Sequence, residues 1–331
     1  MNERAQAVPR ISCVMPAFNE AATLPRVVPQ VLAALAQLSP HVELIVVNDG
    51  SRDATAAVAA ELCAAHPQLV LIDLSRNFGK EAALSAGLDS ARGDIVFLMD
   101  ADGQHPTALL AEMLAGWRQG YDVVYTVRRT RSDQSALQRR LTGVFYGLLN
   151  WHARVKVPRN AGDFRLLDAR VVQALRLMPE RHRFMKGLYA WVGFRSLALD
   201  YEPLPRLAGE TRFGLVGAFS LGTTGLFAFS ATPLRLMGMT GVLLSLAALL
   251  YGLWVVFEYA FLGISVPGYA TIVAGMMLLA GVQLMAIGLL SEYVARIYDE
   301  VKQRPLYLVA GRAGQGLAGD GAAPSADTPT L

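Results

Sequence analysis

An apolar run, Ile95 to Met99, ends without a break on Asp100-Ala-Asp102-Gly-Gln104-His105. A run of strand length with no polar position does not suit a strand with one face in water. It calls for a central strand of a parallel sheet covered on both faces. Open α/β sheets collect their ligands outside the carboxyl ends of such strands, where Asp100 and Asp102 stand. Alternation points the two carboxylates the same way if the strand continues, and Gly103 lets the backbone turn so that Gln104 adds a third oxygen. Three hard oxygens suit Mg²⁺ or Mn²⁺, which take carboxylates together with substrate phosphates. Asp-x-Asp-Gly is also a common solvated turn, so this segment by itself leaves both readings open.

The same grammar recurs along the first half of the chain. Ile11 to Met15, Leu44 to Val47 and Val70 to Leu74 are short apolar runs, each followed by a polar cluster and then a helical stretch. The helices are expected from about Ala21 to Leu38, with Pro25 and Pro29 near the start, through an alanine-rich segment to Ala65, and from Lys80 to about Ala91. Asp122 to Thr126 reads as a further strand. This alternation argues for a mostly parallel sheet with helices on both faces. The polar clusters then face one edge: Pro16 to Glu20, Asn48 to Ser51, Arg76 to Lys80, and Asp100 to Gln104. Asn19 and Asp49 are equally suited to cap helices or form turns, and Arg76 and Lys80 to sit as surface charges. Neither G-x-G-x-x-G after the first strand nor G-x-x-x-x-G-K-[ST] occurs, which disfavours the usual dinucleotide and P-loop readings.

Charge divides the chain. Of 331 residues, 53% are hydrophobic and only 17% charged, and the excess of apolar residues is concentrated late. Leu236 to Phe257 carries no charge and is long enough to span a bilayer, and Ala270 to Leu290 is a second such stretch. Arg235 precedes the first span, while Arg296, Lys302 and Arg304 follow the second, and the Ala260–Gly268 loop has no Lys or Arg. The positive-inside rule therefore places the soluble domain and both ends of the hairpin in the cytoplasm, on a multi-pass membrane protein. Phe213 to Ser230 is uncharged but rich in Gly, Ser and Thr; interfacial helices are expected there rather than a third span, which would carry the basic C-terminus across. Gly241, Ser245, Ala248 and Gly252 form a small-residue face suited to helix packing, within one chain or between copies. Cys13 and Cys63 lack ligand spacing and read as core residues in a reducing compartment. A net charge of +3 is small, so a polyanion-binding role does not follow from it and no nucleic-acid partner is expected. The tail beyond Gly311, rich in Gly, Ala and Pro, reads as disordered.

The ordered motifs carry a specific resemblance. Pro16-x-x-Asn19-Glu20, Asn48-Asp49-Gly50-Ser51-x-Asp53, Arg76-Asn77-x-Gly79-Lys80 and Asp100-x-Asp102-x-Gln104 resemble the inverting family 2 nucleotide-sugar glycosyltransferases of the GT-A fold. Gly162-Asp163-Phe164-Arg165, Arg183-Phe184-x-Lys186-Gly187, Trp191-x-Gly193, Arg206-x-Ala208-Gly209-Glu210-Thr211-Arg212 and two spans ending in Arg304-Pro305 narrow this. They resemble the polyprenyl-phosphate glycosyltransferases, GtrB-type enzymes related to dolichyl-phosphate mannose synthase. The family pattern before the membrane is approximately Ala-Gly-x-Ser-Lys; Thr211 and Arg212 keep the hydroxyl and the charge but alter their reach.

The resemblance implies a GT-A domain over 11–212 after a short extension at 1–10, juxtamembrane helices at 213–233, two membrane helices at 234–300 and a cytoplasmic tail at 301–331. It implies a nucleotide-sugar donor such as UDP-glucose, undecaprenyl phosphate as acceptor, and a homo-oligomer, a tetramer in the family. Pro16, Asn19, Glu20, Asp49, Lys80 and Asp100 would hold the donor, with a divalent ion on Asp100, Asp102 and Gln104 acting on the leaving diphosphate. Arg128, Arg131, Arg139 and Arg140 lie in a cluster that can clamp the acceptor phosphate or rest on anionic lipid headgroups. Asp163 would face the acceptor as base, orienting group or charge stabiliser; a salt bridge to Arg165 is its structural alternative. A processive polysaccharide synthase would share the metal motif, but those enzymes resemble one another in carrying Gln-x-x-Arg-Trp, which does not occur here. A non-catalytic nucleotide-sugar-binding membrane protein is disfavoured by the intact carboxylates.

Overall fold

The structure, a computed structural model, describes residues 3–128, 161–204, 232–262 and 268–317, with single positions at Gly143, Gly147 and Pro158. The expected juxtamembrane helices at 213–230, Arg131, Arg139, Arg140 and the last residues of the tail lie outside the described residues.

Eight strands form one sheet: β1 (Ile11–Ala17), β2 (Val42–Asn48), β3 (Leu69–Leu74), β4 (Ile95–Leu98), β5 (Val123–Arg128), β6 (Ala161–Asp168), β7 (Ser196–Tyr201) and β8 (Val309–Gly314). Their order is β7-β5-β6-β4-β1-β2-β3-β8. The apolar runs read from the sequence are the parallel centre, β4-β1-β2-β3. Side-chain alternation along β1 separates two core layers. Ile11, Cys13 and Met15 pack with α1 (Leu24–Ala36), α2 (Thr55–Ala65) and α4 (Leu109–Arg118). Val14 packs on the opposite face with α3 (Lys80–Ser90), α5 (Ala169–Arg176) and α6 (Met185–Trp191). Both cysteines are free and buried, as expected of small core residues.

The α1 stripe illustrates how sequence becomes packing. Leu24, Val27, Val28, Val31, Leu32 and Leu35 recur at helical spacing and are all buried, while Pro25 occupies the first turn. The helix starts at Leu24 rather than the expected Ala21, because the preceding residues are tied to the segment after β2: Glu20 N–H donates to Thr55 Oγ1 and Ala21 N–H to Asp53 Oδ2.

Two additions to the sheet were not legible as alternation. β6 enters antiparallel between β4 and β5. The Gly162–Arg165 motif therefore lies in a strand. β8 adds antiparallel to the outer side of β3. Here the structure differs from the expectation of disorder beyond Gly311: the strand runs to Gly314, and Leu317 N–H donates to Glu43 Oε2 at 3.1 Å. Buried Glu43 also accepts from Ser12 Oγ at 2.5 Å and Arg92 N–H at 2.8 Å, and the Arg92 guanidinium donates to Leu317 O. One carboxylate thus locks the returning chain onto the catalytic sheet.

Two long helices, α7 (Thr232–Leu262) and α8 (Tyr269–Lys302), supply windows apolar enough to cross a bilayer, Met237–Val255 and Gly275–Lys302. Neither window is buried within the chain (0%), so their apolar faces need lipid or another copy. The α8 helix continues past Leu290, the expected end of the span, by a further length of about 18 Å at 1.5 Å per residue. That extension reaches the catalytic domain, where Arg181 N–H donates to Glu300 Oε2 at 3.1 Å, the Arg181 guanidinium meets Arg304 O, and His182 lies 3.3 Å from Asp299.

Candidate active site

The sheet order reverses at β1, which lies between β2 and β4, and the site forms at the carboxyl ends of these strands, as expected of an open α/β sheet. On the β1–β2 side, Asn19 holds a left-handed conformation (φ 56°) that asparagine tolerates better than most residues. Its N–H donates to Ser51 Oγ at 2.8 Å and its Oδ1 accepts Arg52 N–H at 2.7 Å. Glu20 N–H donates to Thr55 Oγ1, and the Glu20 carboxylate accepts from Thr23 Oγ1 at 2.6 Å. These bonds lace the turn after Pro16 onto the Asn48–Thr55 segment.

Asp49 does local work. Its two carboxylate oxygens accept Phe78 N–H (2.7 Å) and Gly79 N–H (3.0 Å), steering the loop after β3 into α3. Burial outweighs these donors and the nearby Arg76 and holds its carboxyl above the usual range. Gly50 is required for this approach: at φ +58°, a Cβ there would lie 2.2 Å from the Arg76 carbonyl carbon. Both expected roles of Asp49 are compatible with this geometry, since each carboxylate oxygen keeps a second lone pair.

The centre is set by strand register. Antiparallel pairing places Leu98 of β4 opposite Arg165 of β6. Two residues further along both strands, Asp100 and Asp163 face each other across the sheet's edge. Lys80, the first residue of α3, bridges them: its Nζ lies 2.6 Å from Asp100 Oδ1 and 2.8 Å from Asp163 Oδ2. Lys186, on α6, adds a second ammonium 3.7 Å from Asp163 Oδ1. Lys80, Asp100 and Asp163 keep 37%, 29% and 26% of their side-chain surfaces open, so the cluster is the floor of an accessible site.

Electrostatics fix the charge states. Burial opposes ionisation of Asp163, but Lys80 and Lys186 overcome it and hold the carboxyl well below the usual carboxylate range. Asp100 is lowered in the same way, against burial, by Lys80 and His105. Burial also opposes the Lys80 charge, and the two carboxylates hold the ammonium well above its ordinary value. The salt bridge expected as the alternative for Asp163, to Arg165, is not its contact. Arg165 is buried, donates to Gly162 O and stacks 3.8 Å over the Tyr189 ring.

The expected metal ligands sit together after β4. Gly103 takes φ +74° and turns the chain, and Asp102 Oδ1 accepts Gln104 N–H at 3.0 Å. Among the described residues no three His, Cys, Asp or Glu side chains gather in metal-binding geometry. The donor set of two carboxylates and a carboxamide still fits a hard divalent cation completed by phosphate oxygens. Asp100 Oδ1 is taken by the Lys80 ammonium at 2.6 Å, so a bound ion would share this carboxylate with Lys80.

Arg128 ends β5, in register with Tyr201, so its backbone reaches the same end of the sheet as the site. Three neighbours escaped the sequence reading. His105 is buried, stacks on Phe164 (centroids 4.6 Å apart) and accepts Asp100 N–H on Nδ1 at 3.1 Å, fixing the Asp100 backbone. Lys186 lay in a quoted motif without a role, and Glu81 looked like an ordinary helical glutamate. Only their tertiary neighbours distinguish them.

Comparisons with known proteins identify the family. The Glycosyl transferase family 2 profile matches residues 12–176, and the GtrB C-terminal hairpin profile matches 232–297. An uncharacterized glycosyltransferase of Synechocystis sp. is 41% identical over 300 residues, covering 91% of this chain and 94% of that protein. A prophage bactoprenol glucosyl transferase homolog of Escherichia coli is 37% identical over 91% of this chain and 98% of its own. The bactoprenol glucosyl transferase of Shigella phage SfX is 38% identical over 92% and 99%, respectively. The chain belongs to the family 2 glycosyltransferases that carry a GtrB C-terminal hairpin, and it is a membrane-associated glycosyltransferase.

Proposed function

We propose that the protein transfers a sugar from a nucleotide-diphosphate donor, UDP-glucose or a related UDP-sugar, to undecaprenyl phosphate in one inverting displacement. The work is done at the cytoplasmic face of the inner membrane, which the hairpin spans twice. The observation that carries this reading is the pair Asp100 and Asp163, one on each side of Lys80, at the carboxyl edge of the sheet. One carboxylate belongs with the donor's diphosphate, the other with the acceptor. The relatives named as bactoprenol glucosyl transferases support the lipid acceptor.

An oxygen of the acceptor phosphate forms a bond to the anomeric carbon as that carbon's bond to the diphosphate breaks, and the electron pair leaves with the nucleoside diphosphate. Attack from the face opposite the leaving group inverts the anomeric centre. Asp163 remains ionised, orients the acceptor with Lys186 and steadies positive charge growing on the sugar. Lys80 balances the negative charge of the departing diphosphate. Pro16, Asn19, Glu20 and Asp49 shape the nucleotide pocket, and Arg128, Arg131, Arg139 and Arg140 hold the lipid phosphate. A divalent ion, Mg²⁺ or Mn²⁺, held by Asp100, Asp102 and Gln104 supplies Lewis acidity to the diphosphate when bound. Gly241 and Gly252, where an added Cβ would meet nothing within 4 Å, leave α7 open to packing in a homo-oligomer.

The test is incubation of the full-length protein in detergent with labelled UDP-sugars, undecaprenyl phosphate and Mg²⁺ or Mn²⁺, followed by separation of lipid products and assignment of the anomer. A β-linked sugar phospholipid from an α-linked donor is expected. Retention of configuration, or sugar transferred only to a growing glycan, would overturn the reading.

A further inference from the structure

The loop that carries the expected metal ligands ends on a buried ring that the displacement does not use, His105. Its Nδ1 accepts Asp100 N–H at 3.1 Å, so the ring's own proton sits on Nε2. Nε2 lies 3.9 Å from Asp100 Oδ2, too far for a hydrogen bond, so the ring acts on the Asp100 backbone rather than on its carboxylate. The imidazole stacks on Phe164 with 4.6 Å between centroids and 9° between planes. Tyr201, at the end of β7, meets each of these rings edge-on at 6.3 Å. The residue before His105 is tied to the same wall, because Gln104 O accepts Leu204 N–H at 3.0 Å.

Phe164 follows Asp163 on β6, and its carbonyl accepts Thr126 Oγ1 at 3.1 Å, which fixes that strand against β5. One imidazole therefore touches both carboxylate-bearing elements: it bonds the β4 loop at Asp100 and stacks on β6 beside Asp163. A phenyl ring would fill the same space but could not accept the Asp100 N–H. A carboxamide could accept it but could not stack in the same way. The separation of the two elements matters because Lys80 spans it, 2.6 Å from Asp100 and 2.8 Å from Asp163, and a loop that slid along the strand would open that bridge.

We propose that His105 is a positioning residue that sets Asp100 against Asp163, and so holds the donor's diphosphate in register with the acceptor. This rests on the reading above that Asp100 serves the donor and Asp163 the acceptor. The two contacts divide the work. The bond to Nδ1 fixes Asp100 for a divalent ion, and the stack on Phe164 fixes the whole loop against the acceptor side.

The experiment compares full-length wild type, His105→Phe, His105→Asn and Phe164→Leu. Mn²⁺ is titrated in the presence of UDP and read by electron paramagnetic resonance, and kcat and the KM for undecaprenyl phosphate are measured alongside. His105→Phe keeps a ring but loses the acceptor, and should weaken Mn²⁺ binding by about tenfold or more. His105→Asn keeps an acceptor near the place of Nδ1 but loses the stack. Its Mn²⁺ affinity should stay within about threefold of wild type, while kcat falls by about tenfold or more and the acceptor KM changes little. Phe164→Leu should match His105→Asn, and combining those two should cost little more than either alone. Should Phe164→Leu fail to fold, the opposite signatures of the two His105 variants still decide. Equal losses of Mn²⁺ affinity and kcat in His105→Phe and His105→Asn, as expected of a merely structural side chain, would overturn the proposal, and so would wild-type behaviour of both. If wild type binds Mn²⁺ with UDP but makes no lipid-linked sugar, the proposed function fails by itself. A tenfold gap in Mn²⁺ affinity between wild type and His105→Phe then still supports the His105 assignment, and equal affinities overturn it.

Discussion

Replacing Asp163 with asparagine removes one negative charge while keeping the side chain's shape. Its two oxygens lie 2.8 Å from Lys80 Nζ and 3.7 Å from Lys186 Nζ. These contacts keep the carboxylate ionised through the neutral range, so it is a poor acceptor for a proton. The acceptor needs little help in any case, because a phosphate monoester has a second pKa of about 6. The variant therefore loses an electrostatic partner rather than a base. Half a unit of positive charge developing about 4 Å from a carboxylate, at an effective dielectric of about 20, is worth about 2 kcal/mol. That alone slows the reaction by about 30-fold. The variant also takes a counter-charge from Lys80, which keeps Asp100, and from Lys186, and a second contribution of similar size would bring the loss to about 10³. The assay is the maximal rate of both proteins between about pH 6 and 9, with donor, lipid and divalent ion saturating. Asp163→Asn should fall below wild type at every pH. A variant whose rate climbs to meet wild type at the alkaline end would refute this reasoning and make Asp163 a general base.

Chelation by EDTA should abolish turnover, and Asp102→Asn should nearly do so without lowering the melting temperature; full activity in excess EDTA would remove the metal from Asp100, Asp102 and Gln104. Arg128→Ala should raise the KM for undecaprenyl phosphate by about tenfold or more while leaving UDP-sugar affinity, measured by calorimetry, nearly unchanged. Equal loss of donor affinity would place that arginine elsewhere. Glu43→Ala should destabilise the catalytic domain by roughly 3–5 kcal/mol, read from chemical denaturation, because Ser12, Arg92 and Leu317 all lose their acceptor. Burial, and then the neighbouring Asp163, push the Glu81 carboxyl up to about 7, a stability cost that is absent below about 4.5 and complete above about 7. Glu81→Gln should therefore be more stable than wild type above pH 7, by up to about 3 kcal/mol, with the advantage vanishing on acidification. A constant difference across that range would show that the carboxyl does not titrate there.

Much of the architecture was written in local pattern. The apolar runs at Ile11, Leu44, Val70 and Ile95 became the parallel centre of the sheet, and the polar clusters after them stand at one edge. Burial on both faces leaves a continuous apolar signature that survives in a single sequence. The hairpin was equally legible, because a bilayer demands a long uncharged helix.

What only the tertiary structure decided depends on partners distant in sequence. Asp163 and Asp100 meet because β6 enters antiparallel beside β4, and nothing in the local periodicity of Ala161–Asp168 names that neighbour. Lys80, placed by its motif at the donor side, gained its bridge between Asp100 and Asp163 from the same register, which the sequence did not show. The α8 extension carries Glu292, Arg296, Asp299 and Glu300, charges that locally read as the end of a span. Its contacts with Arg181 and His182 give that extension a place to dock. The β8 segment, Val-Ala-Gly-Arg-Ala-Gly, has little strand preference of its own, and it becomes a strand because the open edge of β3 offers hydrogen-bond partners and Glu43 holds its end.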